Sequence, residues 1–181
     1  MKNILAALVL VVGFSATAMA EKTVEVGGAA MSPSKDIIDN AATSKDHTTL
    51  VAAVKAAGLV DTLKGAGPFT VFAPTNEAFG KLPAGAVDGL LKPEAKSTLA
   101  KVLTYHVVPG KLGSKEIAAM IKKGKGTATL KTVAGGTLTA SMQGTDLVLK
   151  DEKGGTSKVT VPNVYQKNGV IHVVDSVVMP N

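Results

Sequence analysis

The sequence has no cysteine, no arginine and no tryptophan, and its aromatic content is four phenylalanines and two tyrosines in 181 residues. Without cysteine there can be no disulfide, thiolate metal site, cysteine nucleophile or lipid-modified N-terminal cysteine, so stability has to come from a hydrophobic core. Without arginine there is no planar guanidinium, the group that does most bidentate recognition of phosphates, carboxylates and guanine edges. An RGD tripeptide is likewise impossible. Scarce aromatics and missing arginine together make nucleic acid a poor partner class. Beyond the N-terminus no run approaches the ~20 apolar residues of a spanning helix.

What is present begins with an export signal. Lys2 gives a basic start, residues 4–16 are apolar apart from Gly13 and Ser15, and Ala18-Met19-Ala20 places small residues before Glu21. Residues 1–20 are expected to be a cleaved secretory signal peptide; a cut after Ala18 also satisfies the small-residue rule. The exported chain of 161 residues is expected to be soluble, to carry a formal charge of +5 rather than +6, and to form one domain. Residues 21–35, with Gly27, Gly28 and Pro33, are expected to be a flexible lead-in, leaving 36–181 as the ordered unit.

Helical periodicity marks a segment through Ile37 and Ile38 with Ser34 as its cap. A second carries Leu50, Val51, Val54 and Ala57 on one face and ends at Gly58. A turn at residues 65–68 leads into a strand over 69–73, which Pro74 stops, with Thr75 or Asn76 capping the next helix. Pro93 fits the start of a helix whose stripe is Leu99, Val102 and Leu103, ending just before Tyr105, and Ser114 could cap a later one. From Gly124 onward short runs alternate between apolar and hydroxyl residues and are punctuated by Gly135-Gly136, Gln143-Gly144 and Gly154-Gly155. This predicts an antiparallel meander with one wet face. Asn168-Gly169 predicts a two-residue hairpin pairing Tyr165 with His172. The last strand is apolar on both faces and is expected at the centre, giving an α+β class.

Two segments, residues 67–79 (GPFTVFAPTNEAF) and 168–180 (NGVIHVVDSVVMP), with the intervening Tyr105-His106 (YHVV), resemble the paired signatures and tyrosine-histidine motif of the fasciclin family. The resemblance spans roughly residues 36–180. It implies a wedge-shaped β-sandwich of largely antiparallel strands flanked by several short α-helices, with the two signature segments as neighbouring central strands. It also implies a secreted, non-enzymatic module for cell adhesion or protein and glycan interaction at the cell envelope or outside the cell. Tyr105 and His106 are the interaction residues it suggests, although their neighbours differ from those of animal members.

Sites for chemistry are scarce. His172, Asp175 and Ser176 lack a GxSxG elbow, and His47, His106 and His172 have no metal-ligand spacing, so neither catalytic residues, a metal nor a cofactor is assigned. Residues 65–67 and 124–126 read as turns rather than phosphate cradles, and Lys122, Lys123 and Lys125 as a solvated helix end. The expectation is a monomeric, secreted periplasmic or extracellular protein with a protein or glycan partner. Such a module calls for an exposed apolar or aromatic patch of several hundred Å² and no deep polar pocket. The alternative is a periplasmic small-ligand binder or a stress- or symbiosis-related envelope protein.

Overall fold

The computed structural model describes residues 21–181, so the expected signal peptide lies outside the described residues. Residues expected to be a flexible lead-in instead form a hairpin, β1 (Val24–Val26) and β2 (Ala29–Met31). Its inward residues Val26 and Met31 are 4% and 1% exposed, and that burial overrides the glycine-rich turn between them. Two buried amides fasten the segment that follows. Asn40 bonds both the N–H and the carbonyl of Ser32 and also bonds Gln166.

Helices α1 (Ile37–Ala41), α2 (Thr48–Ala57) and α3 (Val60–Lys64) come next, then strand β3 (Phe69–Pro74). Asp36, not Ser34, caps α1, because its carboxylate accepts from the Asp39 N–H at 2.8 Å. Gly58 ends α2 in the left-handed region, as the sequence predicts. Thr75 caps α4 (Asn76–Gly80) by accepting from the Ala78 N–H at 3.2 Å. Asn76 reaches further. Its Oδ1 accepts from the Thr49 N–H at 3.0 Å, so it caps α2 from outside that helix. Then follow α5 (Ala86–Leu90), a 3-10 turn with Pro93 leading into α6 (Lys96–Tyr105), strand β4 (Val107–Pro109) and α7 (Ser114–Lys123).

The rest is sheet: β5 (Thr127–Lys131), β6 (Thr137–Gln143), β7 (Asp146–Lys150), β8 (Thr156–Gln166) and β9 (Gly169–Val174). Hydrogen bonding runs in the order β4-β3-β9-β8-β7-β6-β5, so the two layers of the sandwich are halves of one continuous seven-stranded sheet. The sheet curls back on itself, and Val133 N–H donates to the Val107 carbonyl at 2.8 Å, bringing its two ends together. All pairs are antiparallel except β3 with β9, the two signature strands, which lie side by side and parallel as the second and third strands of that order rather than at its middle.

Because β9 is buried along its whole length, its alternate residues feed two cores. Ile171 and Val173 join Val71, Ala73 and the helices α1–α3 and α6 on one side, while Val174, with Val178 from the segment after the strand, joins Phe72, Tyr105, Ile117 and Leu149 on the other. Strand β8 serves both through bulges between Val159 and Val164. Each bulge shifts the side-chain alternation: Val159 enters the second core while Val161, two residues on, packs with the first, and Val164, three further on, stays in the first with it.

The hairpin register differs from the sequence expectation. Tyr165 pairs with Val170 and Gln166 with Gly169, so the turn residues are Lys167 and Asn168. Gly169 is needed in the strand rather than in the turn: a Cβ there would overlap the Phe69 carbonyl of the neighbouring parallel strand. Asn168 is consumed by the core. Its Oδ1 accepts from the Ile37 N–H at 3.1 Å, and its Nδ2 donates to the carbonyls of Leu63 at 2.7 Å and Gly65 at 2.8 Å.

Candidate functional site

Tyr105 and His106, the interaction residues suggested by resemblance, lie inside the molecule at 0% and 2% exposure. The α6 stripe that buries Leu99, Val102 and Leu103 continues in phase to them, and the same burial removes them from any surface role in this structure. The Tyr105 hydroxyl donates to the Thr137 carbonyl at 2.6 Å and accepts from the Glu152 N–H at 3.2 Å. Burial raises its phenol pKa. His106 Nε2 accepts from the Val178 N–H at 3.2 Å, so the proton sits on Nδ1, which donates to the Val102 carbonyl at 2.8 Å. With both nitrogens committed as a neutral ring, burial pushes the His106 pKa down to about 4.

The other histidines are also internal. His172 stacks on Phe72 at 5.6 Å, donates from Nε2 to the Leu112 carbonyl and accepts at Nδ1 from the Asn163 N–H. Its pKa is lowered by burial. His47 Nδ1 bonds the Ser44 hydroxyl at 2.9 Å. Its buried Nε2 has no partner of good geometry, although the nearby Ala73 carbonyl partly offsets the desolvation that lowers its pKa. His172, Asp175 and Ser176 do not converge: Asp175 accepts from the Lys158 N–H and from Ser176, and neither bonds the imidazole. No group of three His, Cys, Asp or Glu side chains comes together as a metal site among the described residues.

Enclosed space is small. Between helices α1–α3 and the sheet lies an apolar cavity of about 30 Å³, walled by Ile37, Val54, Leu63, Val71 and Ile171, among others. That is room for one or two waters, not a metabolite. The large apolar side chains exposed among the described residues are Met120, Val133 and Met142.

The most chemically varied surface is an open groove of about 580 Å³ where four segments meet. The second tyrosine, Tyr165, forms its floor from β8, just past the bulge. Asn163 in that bulge takes φ +61° and holds the start of α7: its Oδ1 accepts from the Ser114 N–H at 2.7 Å and its Nδ2 donates to the Ser114 hydroxyl. This capping brings Glu116, in the first turn of α7, beside Tyr165. A Cβ on Gly113 would sit 2.5 Å from Tyr165 Oη and 2.6 Å from Glu116 Oε2, so glycine is required there to let the two polar groups approach.

Lys111, in the loop after β4, extends over the Tyr165 ring with Nζ 5.0 Å from the centroid and pairs with Glu21 at 2.6 Å. Glu116 is exposed and makes no ion pair among the described residues. Burial, then Glu116 and Glu21, raise the Tyr165 pKa, so its hydroxyl is a donor at neutral pH. Sequence reasoning missed this groove. The available signal was Pro162-Asn163 inside a strand pattern, which marks a bulge that redirects its neighbours.

Comparison with known proteins agrees with the architecture. The profile of the Fasciclin domain matches residues 45–180. Protein sll1483 of Synechocystis is 47% identical over 162 residues, covering 88% of this chain and 82% of that protein. The cell surface glycolipoprotein MPB83 of Mycobacterium bovis is 38% identical over 122 residues, covering 67% of this chain and 48% of that protein. Among solved structures, a FAS1 domain pair from the insect cell adhesion molecule Fasciclin I superposes with a TM-score of 0.71 at 18% identity, over 80% of this chain and 50% of that one.

Proposed function

This chain belongs to the fasciclin domain family, and from that premise we propose that it is an exported, monomeric, non-enzymatic domain that recognises a protein or glycan at the cell envelope or outside the cell. The observation that carries the reading is the contrast between its polar groups. The signature residues Tyr105 and His106 are locked in the core, whereas Tyr165, Lys111 and Glu116 converge on an open groove. An aromatic face flanked by a cation and a free carboxylate suits recognition of a large partner. The cell-surface designation of the mycobacterial relative supports the compartment, and no helix of the described residues is long and apolar enough to cross a membrane.

The test is retention of macromolecules from envelope and extracellular fractions on the immobilised protein. Wild type is expected to retain a partner reproducibly, and Tyr165→Ala to lower that retention at least about tenfold. Equal retention by the variant, or recovery of nothing by either, would count against the groove as the recognition surface.

A further inference from the structure

The groove is already occupied, by the protein's own acidic residue. Glu21 lies in the three residues that precede β1 and belong to no strand or helix, and its carboxylate is held 2.6 Å from Lys111 above the Tyr165 ring. An ion pair between groups this accessible to solvent is worth about fivefold or less in an equilibrium constant, so it is easily exchanged for another carboxylate of similar geometry.

We propose that Glu21 is a built-in stand-in for the ligand, and that the groove binds a uronate-bearing glycan whose carboxylate displaces Glu21 from Lys111. This rests on the recognition reading above and names the chemistry of the same groove. The remaining walls distinguish a uronate from other acids. Lys111 Nζ lies over the Tyr165 ring, so a pyranose whose carboxylate draws Lys111 aside meets the apolar ring face with its own C–H face, and the tyrosine hydroxyl serves as a donor. Glu116 has free acceptor oxygens for sugar hydroxyls. Lys22 is the second cation of the groove, so Lys111, Lys22 and Glu116 define the charge pattern that the ligand meets. One carboxylate per ring, surrounded by hydroxyls, fits that pattern.

The experiment is calorimetric titration of the exported protein with tetragalacturonate, with cellotetraose and a tetraglutamate peptide as comparison probes. Tetragalacturonate is expected to bind, cellotetraose at least about tenfold more weakly, and tetraglutamate more weakly than the uronate. Glu21→Gln removes the internal competitor and is expected to tighten uronate binding about two- to fivefold, the exchange value of an exposed ion pair. Lys111→Met is expected to weaken it about tenfold or more.

Binding that is unchanged or weakened in Glu21→Gln would overturn the stand-in role. Binding of cellotetraose or tetraglutamate as tight as the uronate would overturn the ligand class. Absence of uronate binding in a protein that still retains an envelope partner through Tyr165 would sink this inference alone and leave the recognition reading standing. Circular dichroism of each variant checks that the fold is intact.

Discussion

The half of the molecule built on β3, β4, β9 and helices α1–α6 and the half built on β5, β6, β7 and α7 bury comparable sets of aliphatic side chains, yet they are held together differently. In the first half, side-chain amides span the chain. Asn168 ties α1 and α3 to the last hairpin across sequence separations of 131, 105 and 103 residues, and Asn40 meets Gln166 across 126. In the second, successive strands pair with their immediate neighbours through short turns, and polar residues face water. The first half therefore concentrates its stability in a few buried hydrogen bonds, and the second distributes it over many small contacts.

The largest expected effect breaks that comparison at its sharpest point. Asn168→Ala strands the Ile37 N–H and the carbonyls of Leu63 and Gly65, each costing about 1–3 kcal/mol when left unsatisfied. A loss of about 4 kcal/mol in urea unfolding is expected, with no change of secondary structure at low denaturant. A loss under about 1 kcal/mol would show that the clamp is dispensable.

Acid is the next largest perturbation. The folded-state pKa of His106, about 4, lies below the ordinary value of 6.5, so the unfolded chain takes up the proton first as pH falls. The neutral ring contributes its full stabilisation above pH 6.5, and that contribution is lost as pH drops from there towards 4. The gap converts to roughly 3 kcal/mol. His172 and His47 are shifted in the same direction and add to the decline. Urea midpoints measured between pH 7.5 and 4.5 should fall steadily, and His106→Gln should flatten the slope. A pH-independent midpoint over that range would contradict the neutral buried imidazole.

Tyr105→Phe probes a junction between the halves. Removing the hydroxyl leaves the Glu152 N–H and the Thr137 carbonyl without their partner and should cost about 1–2 kcal/mol. The smallest effect is expected in the meander. Thr139 faces Thr129 on one side and Lys150 on the other on the wet face, and Thr139→Ala should change stability by about 0.5 kcal/mol or less. If it matched Asn168→Ala in cost, the proposed division between concentrated and distributed stability would be wrong.

The same division explains what could be seen in the chain beforehand. The meander was legible because its signals are local: Leu138 and Ala140 alternate with Thr137 and Thr139, and glycine-containing turns separate the runs. The caps at Thr75 and Gly58 and the two-faced last strand were legible for the same reason. The hairpin register was misread because Asn168 and Gly169, taken as turn residues, are each claimed by a distant segment, one by the helices and the other by the Phe69 carbonyl. The lead-in was misjudged because small residues suggest freedom, and only tertiary burial of Val26 and Met31 removes it. The groove at Tyr165 is signalled only by Pro162-Asn163, because it depends on a bulge that changes which way half a strand points.

The placement of β9 has a consequence for how the protein reaches its fold. Strand β9, which feeds both cores, is the last strand of the described residues, and one of its neighbours, β3, lies about a hundred residues earlier. A chain threaded through a narrow channel from its N-terminus has β4 available for β3 but lacks the middle of the sheet until the final segment follows. Neither core can close before then, and contacts this distant in sequence form slowly. Such a topology leaves both cores open until β9 has paired, so the fold locks in a single late step.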